Sequence, residues 1–231
     1  MLKEWTKLEK TLLYGSCIIV FIVGVISKSD ILTTSCSIID ILAMLLIAKG
    51  KNIGQILGVL ITILYSIVSF KNRFYGEVII YIFMMLPMYL IGIVSWIKHK
   101  NNETDSVEIN NIYKSEWLIV SIVAVIVFTG VYFLLKAFNT NELLVSTFSV
   151  LASLFGIYLQ IRRSRYAFIF YIINDIILSI LWGIPIINGD YSLLPIFLDP
   201  VFIFLNDMYG FYNWTRLEKK QKEKCLKNRS I

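Results

Sequence analysis

The stretch GIVSWIK at Gly92–Lys98 returns as GFYNWTR at Gly210–Arg216. The glycine, the tryptophan and the closing basic residue keep their spacing. From 92 to 210, 96 to 214 and 98 to 216 the offset is the same 118 residues. Each copy closes an apolar run. One membrane-spanning unit is therefore expected to occur twice. A duplicated helical bundle with its binding site between the halves is a common plan for a small transporter.

Composition agrees. Hydrophobic residues are 57% of the 231, charged residues only 16%, and the mean hydropathy is +0.72. A soluble domain has about 45–50% apolar and about 25% charged residues. No room is left for a separate soluble domain. The net charge of +6 does not point to nucleic acid, because the basic residues lie between and after the apolar runs, where lipid headgroups and cytoplasm meet them, and accompany no soluble fold.

Eight apolar runs are legible: Leu12–Ile26, Leu32–Ala48, Ile53–Phe70, Glu77–Ile97, Trp117–Lys136, Leu143–Gln160, Ala167–Ile187 and Ser192–Trp214. Each is near the ~20 residues a spanning helix needs. The first follows Lys3, Lys7 and Lys10 as a signal peptide would, but no small-x-small site follows it, and it reads as a retained helix. With a cytoplasmic N-terminus, all of the 22 basic residues except Lys28, Lys71, Arg73 and Lys136 fall on the cytoplasmic side. The positive-inside rule thus supports both the helix count and a cell-membrane protein with both termini cytoplasmic.

The expected architecture is an all-α polytopic membrane protein of eight transmembrane helices. Residues 1–30 hold an extra N-terminal helix and 31–98 the first three-helix repeat. Residues 99–141 hold a cytoplasmic loop and a linking helix, 142–216 the second repeat, and 217–231 a basic cytoplasmic tail, helical or disordered. A single linking helix leaves the two repeats parallel, related by an axis along the membrane normal. Pro87 and Pro200 interrupt the closing helix of each repeat.

The chain resembles the Pnu-type vitamin transporters, best known for nicotinamide riboside uptake. The residues that carry the resemblance are Tyr75-Gly76-Glu77, Pro87 and Trp96-Ile97-Lys98, then Asn174-Asp175, Trp182, and the run from Asn206-Asp207 through Tyr209-Gly210-Phe211-Tyr212-Asn213-Trp214. The family is similar in plan to the sugar-transporting SWEET proteins, three helices, a linker and three helices. The resemblance implies a facilitator for a small flat vitamin or nucleoside, working by alternating access. A soluble cytoplasmic kinase then traps the product. Trp182 is followed by Gly183, Ile184 and Pro185 rather than by a second tryptophan, so thiamine, riboflavin and deoxynucleosides stay open beside nicotinamide riboside.

The residues themselves supply a site. Asp40, Asp175, Asp199 and Asp207 lie inside apolar runs that contain no deep Lys or Arg. A carboxylate at the bilayer centre costs ~2.5–3.5 kcal/mol on insertion scales, and each needs a proton, a water-filled cavity or a cationic ligand. Asn174, Asn206 and Asn213 can serve a ribose or carboxamide. Asp199, Asn206 and Asn213 recur every seven residues and share a helix face. Trp182 can stack on a cationic ring, although it also suits an interfacial belt. For Trp96 and Trp214, at helix ends, the belt is the favoured reading. The expected substrate-binding set is Asn174, Asp175, Trp182, Asp199, Asn206, Asp207, Tyr209 and Trp214. A mid-membrane cavity is expected to be lined by Asn174, Asp175, Trp182, Asn206 and Tyr209.

Other chemistry is weak. His99 belongs to no metal constellation, Cys17, Cys36 and Cys225 make no disulfide framework, and no Walker A sequence is present. No cofactor is expected, and no enzyme. A membrane-embedded enzyme acting on lipid would need its acids clustered at one membrane face, whereas these are spread over several helices. Membrane lipid is an expected partner, and an assembly of several copies is left open.

Overall fold

The computed structural model describes residues 5–71, 75–101, 106–140 and 142–229. Lys3 and Arg73 lie outside the described residues, as do the side chains of Tyr75-Gly76-Glu77. Eight helices long and apolar enough to cross a membrane are present among the described residues. They are α1 (Lys7–Ile26), α2 (Ile31–Ala48), α3 (Asn52–Lys71), α4, α5 (Lys114–Ala137), α6 (Leu143–Ile161), α7 (Ala167–Ile187) and α8 (Leu194–Arg229). The helix α4 has three parts, Tyr75–Ile80, a π-helical turn Tyr81–Met85, and Leu86–Lys98. Between α4 and α5 lies a short antiparallel pair, β1 (Lys100–Asn101) and β2 (Ser106–Val107).

Local chemistry sets the helix ends. Thr6 opens α1 with a capping box: the Glu9 amide donates to Thr6 Oγ1 at 3.3 Å and the Thr6 amide to Glu9 Oε2 at 2.7 Å. Two orphan donors are satisfied, which is why α1 begins five residues before its apolar run. Asp30 caps α2 by accepting from the Thr33 amide at 2.7 Å. At the far end of α2, Gly50 turns left-handed (φ +70°) and the Lys51 amide closes on Leu46 O, a Schellman stop. The same stop ends α6, with Arg163 at φ +59° and the Ser164 amide on Leu159 O. The interruption in α4 falls just before Pro87, which supplies no amide and crowds the preceding turn; the π turn takes up the misfit. Pro200 sits inside α8, and that helix runs on through the basic tail to Arg229 instead of ending at Trp214.

The helices form two bundles, α2–α4 and α6–α8, which meet along α2 against α8 and α4 against α6. At one end the contacts are exchanged between the bundles. Trp96 Nε1 donates to Gln160 O at 2.9 Å, and Trp214 Nε1 to Ile47 O at 3.2 Å. Ser95 Oγ donates to Ile161 O at 2.9 Å, and Asn213 Nδ2 to Ala48 O at 3.0 Å. In each case the donor in α8 lies 118 residues beyond the donor in α4. The acceptor in α6 lies 113 beyond the acceptor in α2. Each bundle thus gives the other what it receives.

The helices α1 and α5 also correspond. Each opens with a Lys-x-Glu in its first turn, Lys7-Leu8-Glu9 and Lys114-Ser115-Glu116. Glu9 pairs with Lys49 at 2.6 Å and Glu116 with Arg162 at 2.7 Å. Lys49 and Arg162 are the C-caps of α2 and α6. Finally, residues 106–112 lie across this same end. The Val107 amide donates to Gly50 O and the Asn110 amide to Arg163 O, both at 2.9 Å, and the Ile109 amide reaches Gln221 Oε1 on α8 at 3.1 Å. This strap ties the two equivalent left-handed turns together.

Candidate functional site: a cavity between the two bundles

The end of the molecule that carries Trp5 and the α8 extension is filled. Trp96 and Trp214 are almost wholly buried, with ring centroids 5.6 Å apart, and Phe168 meets Trp214 edge-on at 5.1 Å. The belt reading of these tryptophans is therefore overturned: both rings close the join between the bundles. The glycines of the repeated motif make room for this. A Cβ on Gly210 would stand 2.4 Å from Phe168 Cε1, and one on Gly92 would stand 2.7 Å from Gln55 Oε1. Phe168 and Gln55 are themselves equivalent, 113 residues apart.

Beyond this seal, in the half away from the chain ends, a cavity of about 130 Å³ opens between the bundles. Its wall follows the same offsets. Asp40 on α2 and Ser153 on α6 both line it, as do Met44 and Ile157, Ile61 and Asn174, Thr62 and Asp175, Tyr65 and Leu178, Tyr81 and Asp199, and Met85 and Ile203. Every pair has the 113- or 118-residue offset. Positions are matched across the axis while residue types are not. The carboxylic acids Asp40, Asp175 and Asp199 face Ser153, Thr62 and Tyr81 at the matching positions.

Asp40 and Asp199 come within hydrogen-bonding reach of each other, and the Tyr65 hydroxyl donates to Asp199 Oδ2. Asp175 lies in the same way against Asp207 of α8. Among the described residues, Oδ1 of Asp199, Oδ2 of Asp175 and both carboxyl oxygens of Asp207 meet no donor. Among the described residues the lining includes no Lys, Arg or His. Side-by-side carboxyls repel unless a proton or a cation stands between them. Aromatic faces are also at hand: Tyr65 and Tyr81 stack with centroids 6.1 Å apart and planes inclined by 23°, and Tyr89, Tyr171 and Trp182 complete the wall. Asn174 is oriented by Ser149, whose hydroxyl lies 2.8 Å from Asn174 Oδ1.

Of the residues singled out from sequence, Asn174, Asp175, Trp182 and Asp199 line the cavity. Four others are elsewhere. Asn206 Nδ2 donates to Ile41 O of α2 at 3.3 Å, and with Asn213 it zips α8 along α2. Asp207 is fully buried behind the wall, against Asp175. The Tyr209 hydroxyl donates to Glu9 Oε1 of α1 at 2.5 Å, and Trp214 belongs to the seal. The heptad on α8 reads correctly as one face, but that face divides: its first member meets the cavity and the next two meet a helix. Sequence reasoning missed Ser153, Tyr65 and Tyr81. Adding 113 to Asp40 would have pointed to Ser153, but that offset has no motif of its own.

Comparison with known proteins gives the family and the fold. The model of the nicotinamide mononucleotide transporter family matches residues 30–216. The nicotinamide riboside transporter PnuC of Neisseria mucosa is 28% identical over 225 residues, which cover 94% of this chain and 84% of that protein. The protein of the same name from Haemophilus influenzae is 26% identical over 186 residues, 78% of this chain and 77% of its own. A crystal structure of the vitamin B3 transporter PnuC shares the fold, with a TM-score of 0.82 at 24% identity over 94% of both chains. With eight spans and a family match over most of its length, this multi-pass membrane protein belongs to the nicotinamide mononucleotide transporter family.

Proposed function

We propose that the chain carries nicotinamide riboside across the cell membrane, binding it in the cavity between the bundles. The observation that carries this reading is the lining, which among the described residues has three aspartates and no basic side chain beside a wall of aromatic rings. Nicotinamide riboside joins a flat cationic pyridinium to an uncharged ribose. The carboxyls attract the cation, the rings stack on its face, and Asn174 and Ser153 can bond hydroxyls or the carboxamide. The family model is described by the mononucleotide. A phosphate would bring negative charge to a wall that is already acidic, so the riboside fits better than its phosphate.

Transport on this reading is alternating access: the bundles rock about their shared axis, opening the cavity to one side and then the other. The basic end carries Lys49, Lys51, Arg162, Arg163, Arg165 and the tail of α8, and is cytoplasmic by the positive-inside rule. A cytoplasmic kinase that phosphorylates the riboside would trap it and give the uptake direction. The units are α2–α4 and α6–α8, with α1 and α5 as corresponding outer helices. The paired Glu9–Lys49 and Glu116–Arg162 contacts support that division.

The direct test is calorimetric titration of the purified protein with nicotinamide riboside, its mononucleotide and its reduced, uncharged form. Saturable binding of the riboside, at least about tenfold tighter than of either other compound, is expected from one carboxylate near the ring. Equal or tighter binding of the mononucleotide would refute the reading.

A further inference from the structure

A line of hydrogen bonds runs from the cavity wall to the seal. We infer that Gln160 is a positioning residue for transport, whose side chain is held by Tyr171 of the cavity wall and whose carbonyl holds Trp96 of the seal, so that it ties the content of the cavity to the opening of the seal. The inference rests on the cavity being the carrier site proposed above and deepens that reading.

Tyr171 on α7 lines the cavity. Its ring rests on Gly156 of α6, where a Cβ would stand 2.3 Å from Tyr171 Cε1. About one helical turn further along α6 is Gln160, and the Tyr171 hydroxyl donates to its Oε1 at 2.8 Å. The ring is confined against backbone, so it cannot shift without taking its hydroxyl along. Gln160 is wholly buried and lies outside the cavity lining. Its backbone carbonyl accepts from Trp96 Nε1 at 2.9 Å, and the next carbonyl, of Ile161, accepts from Ser95 Oγ at 2.9 Å. These two bonds close α4 on α6. The Nε2 of Gln160 meets no acceptor among the described residues.

The first bundle closes without such a line. The positions matching Tyr171 and Gln160 are Gly58 and Ile47. Ile47 offers Trp214 the same backbone carbonyl beside an apolar side chain, and Gly58 has no side chain to reach it. Closing the seal thus needs only the carbonyl. A buried glutamine with one group unpaired is a less stable way to supply it than an isoleucine. What the glutamine adds is the link to Tyr171. A ligand that displaces the Tyr171 ring changes the hold on Gln160, and the carbonyl gripped by Trp96 belongs to that same residue. Such a link biases opening when its contact differs between the closed and open states. Gln160 does not meet the ligand, so breaking the link should slow transport and leave affinity nearly unchanged.

The experiment uses the full chain with nicotinamide riboside as the probe. Gln160→Met keeps the bulk and removes the acceptor, and Tyr171→Phe keeps the ring and removes the donor. Titration of purified protein gives the dissociation constant and the number of competent sites, and uptake into proteoliposomes at saturating substrate is expressed per competent site. Gln160→Met should lower that rate by about tenfold, with the dissociation constant within about threefold of wild type. Tyr171→Phe should lower the rate by a similar factor. The double variant should be no slower than the slower single one, because both changes break one bond. A bond that serves stability alone would lower the melting temperature and leave the rate per competent site unchanged. That result overturns the inference, as does a double variant whose losses multiply, or a Gln160→Met protein whose affinity falls as far as its rate. If Gln160→Met does not fold, the rate of Tyr171→Phe decides alone. Wild-type protein that binds thiamine but not nicotinamide riboside would overturn the proposed substrate alone, and the same variants compared with thiamine would then decide the link.

Discussion

The sealed end and the cavity end are two levels at which the same residue offsets recur, and they treat them differently. At the seal, matched positions hold matched chemistry at the tryptophans, the glycines and the helix-end ion pairs, though Gln55 matches Phe168 and Ser95 matches Asn213. Trp96 and Trp214 each donate to a carbonyl of the other bundle, Gly92 and Gly210 each make room for a neighbour, and Lys49 and Arg162 each hold a glutamate. In the cavity, matched positions hold Asp against Ser, Asp against Thr and Tyr against Asp. A contact that closes a bundle has the same task in both halves, so the same residue type can answer it twice, as the tryptophans and glycines do. A ligand without two-fold symmetry meets different groups on its two sides. The alternation begins between these levels, where Asn206 clamps α8 to Ile41 while its counterpart, Met88, packs in an apolar cluster with Leu154.

The largest expected effect breaks the seal. Trp96→Ala and Trp214→Ala should each cost about 3–5 kcal/mol, as for other buried large-to-small changes. The double variant should cost less than the sum because the rings touch. Thermal unfolding of detergent-solubilised protein checks both. Purely additive losses would mean that the two rings do not form one unit.

Next is the boundary between seal and cavity. A Cβ on Gly156 would stand 2.3 Å from Cε1 of Tyr171, which lines the cavity. Gly156→Val should therefore displace that ring, at about 1–3 kcal/mol of stability, and weaken every ligand alike. Loss confined to cationic ligands would contradict this.

Asn206→Ala sharpens the comparison. Its amide bonds α2 and lines no cavity, so the expected loss is about 1 kcal/mol of stability with the ratio of cationic to neutral ligand affinity unchanged. A changed ratio, measured by paired titrations, would return Asn206 to the ligand.

The smallest effect is at the rim. The Glu116–Arg162 pair is partly exposed, and Glu116→Gln should cost about 0–1 kcal/mol with uptake intact. Uptake into proteoliposomes, with the melting temperature alongside, checks it; lost uptake in a folded variant would give that pair a part in transport.

Much was written in the chain directly. Eight spans follow from run length, because a helix must satisfy its own backbone across ~30 Å of hydrocarbon and so needs a fixed number of apolar residues. The repeated motif is legible in Gly92–Lys98 and Gly210–Arg216, where packing makes the same demand twice. Asp175 and Asp199, which line the cavity, were legible as candidates because unpaired acids within apolar runs are costly unless something faces them. Which polar residue faces the cavity was not legible. Asp199, Asn206 and Asn213 share one face of α8, and nothing along α8 says that α2 covers the lower two while the first stands clear. Trp214 carries the pattern of an interfacial anchor, and only the partner carbonyl on Ile47, 167 residues away, makes it a seal. Helical periodicity defines a face, whereas the neighbour that meets that face is set by how the two bundles dock, through contacts that no local pattern encodes.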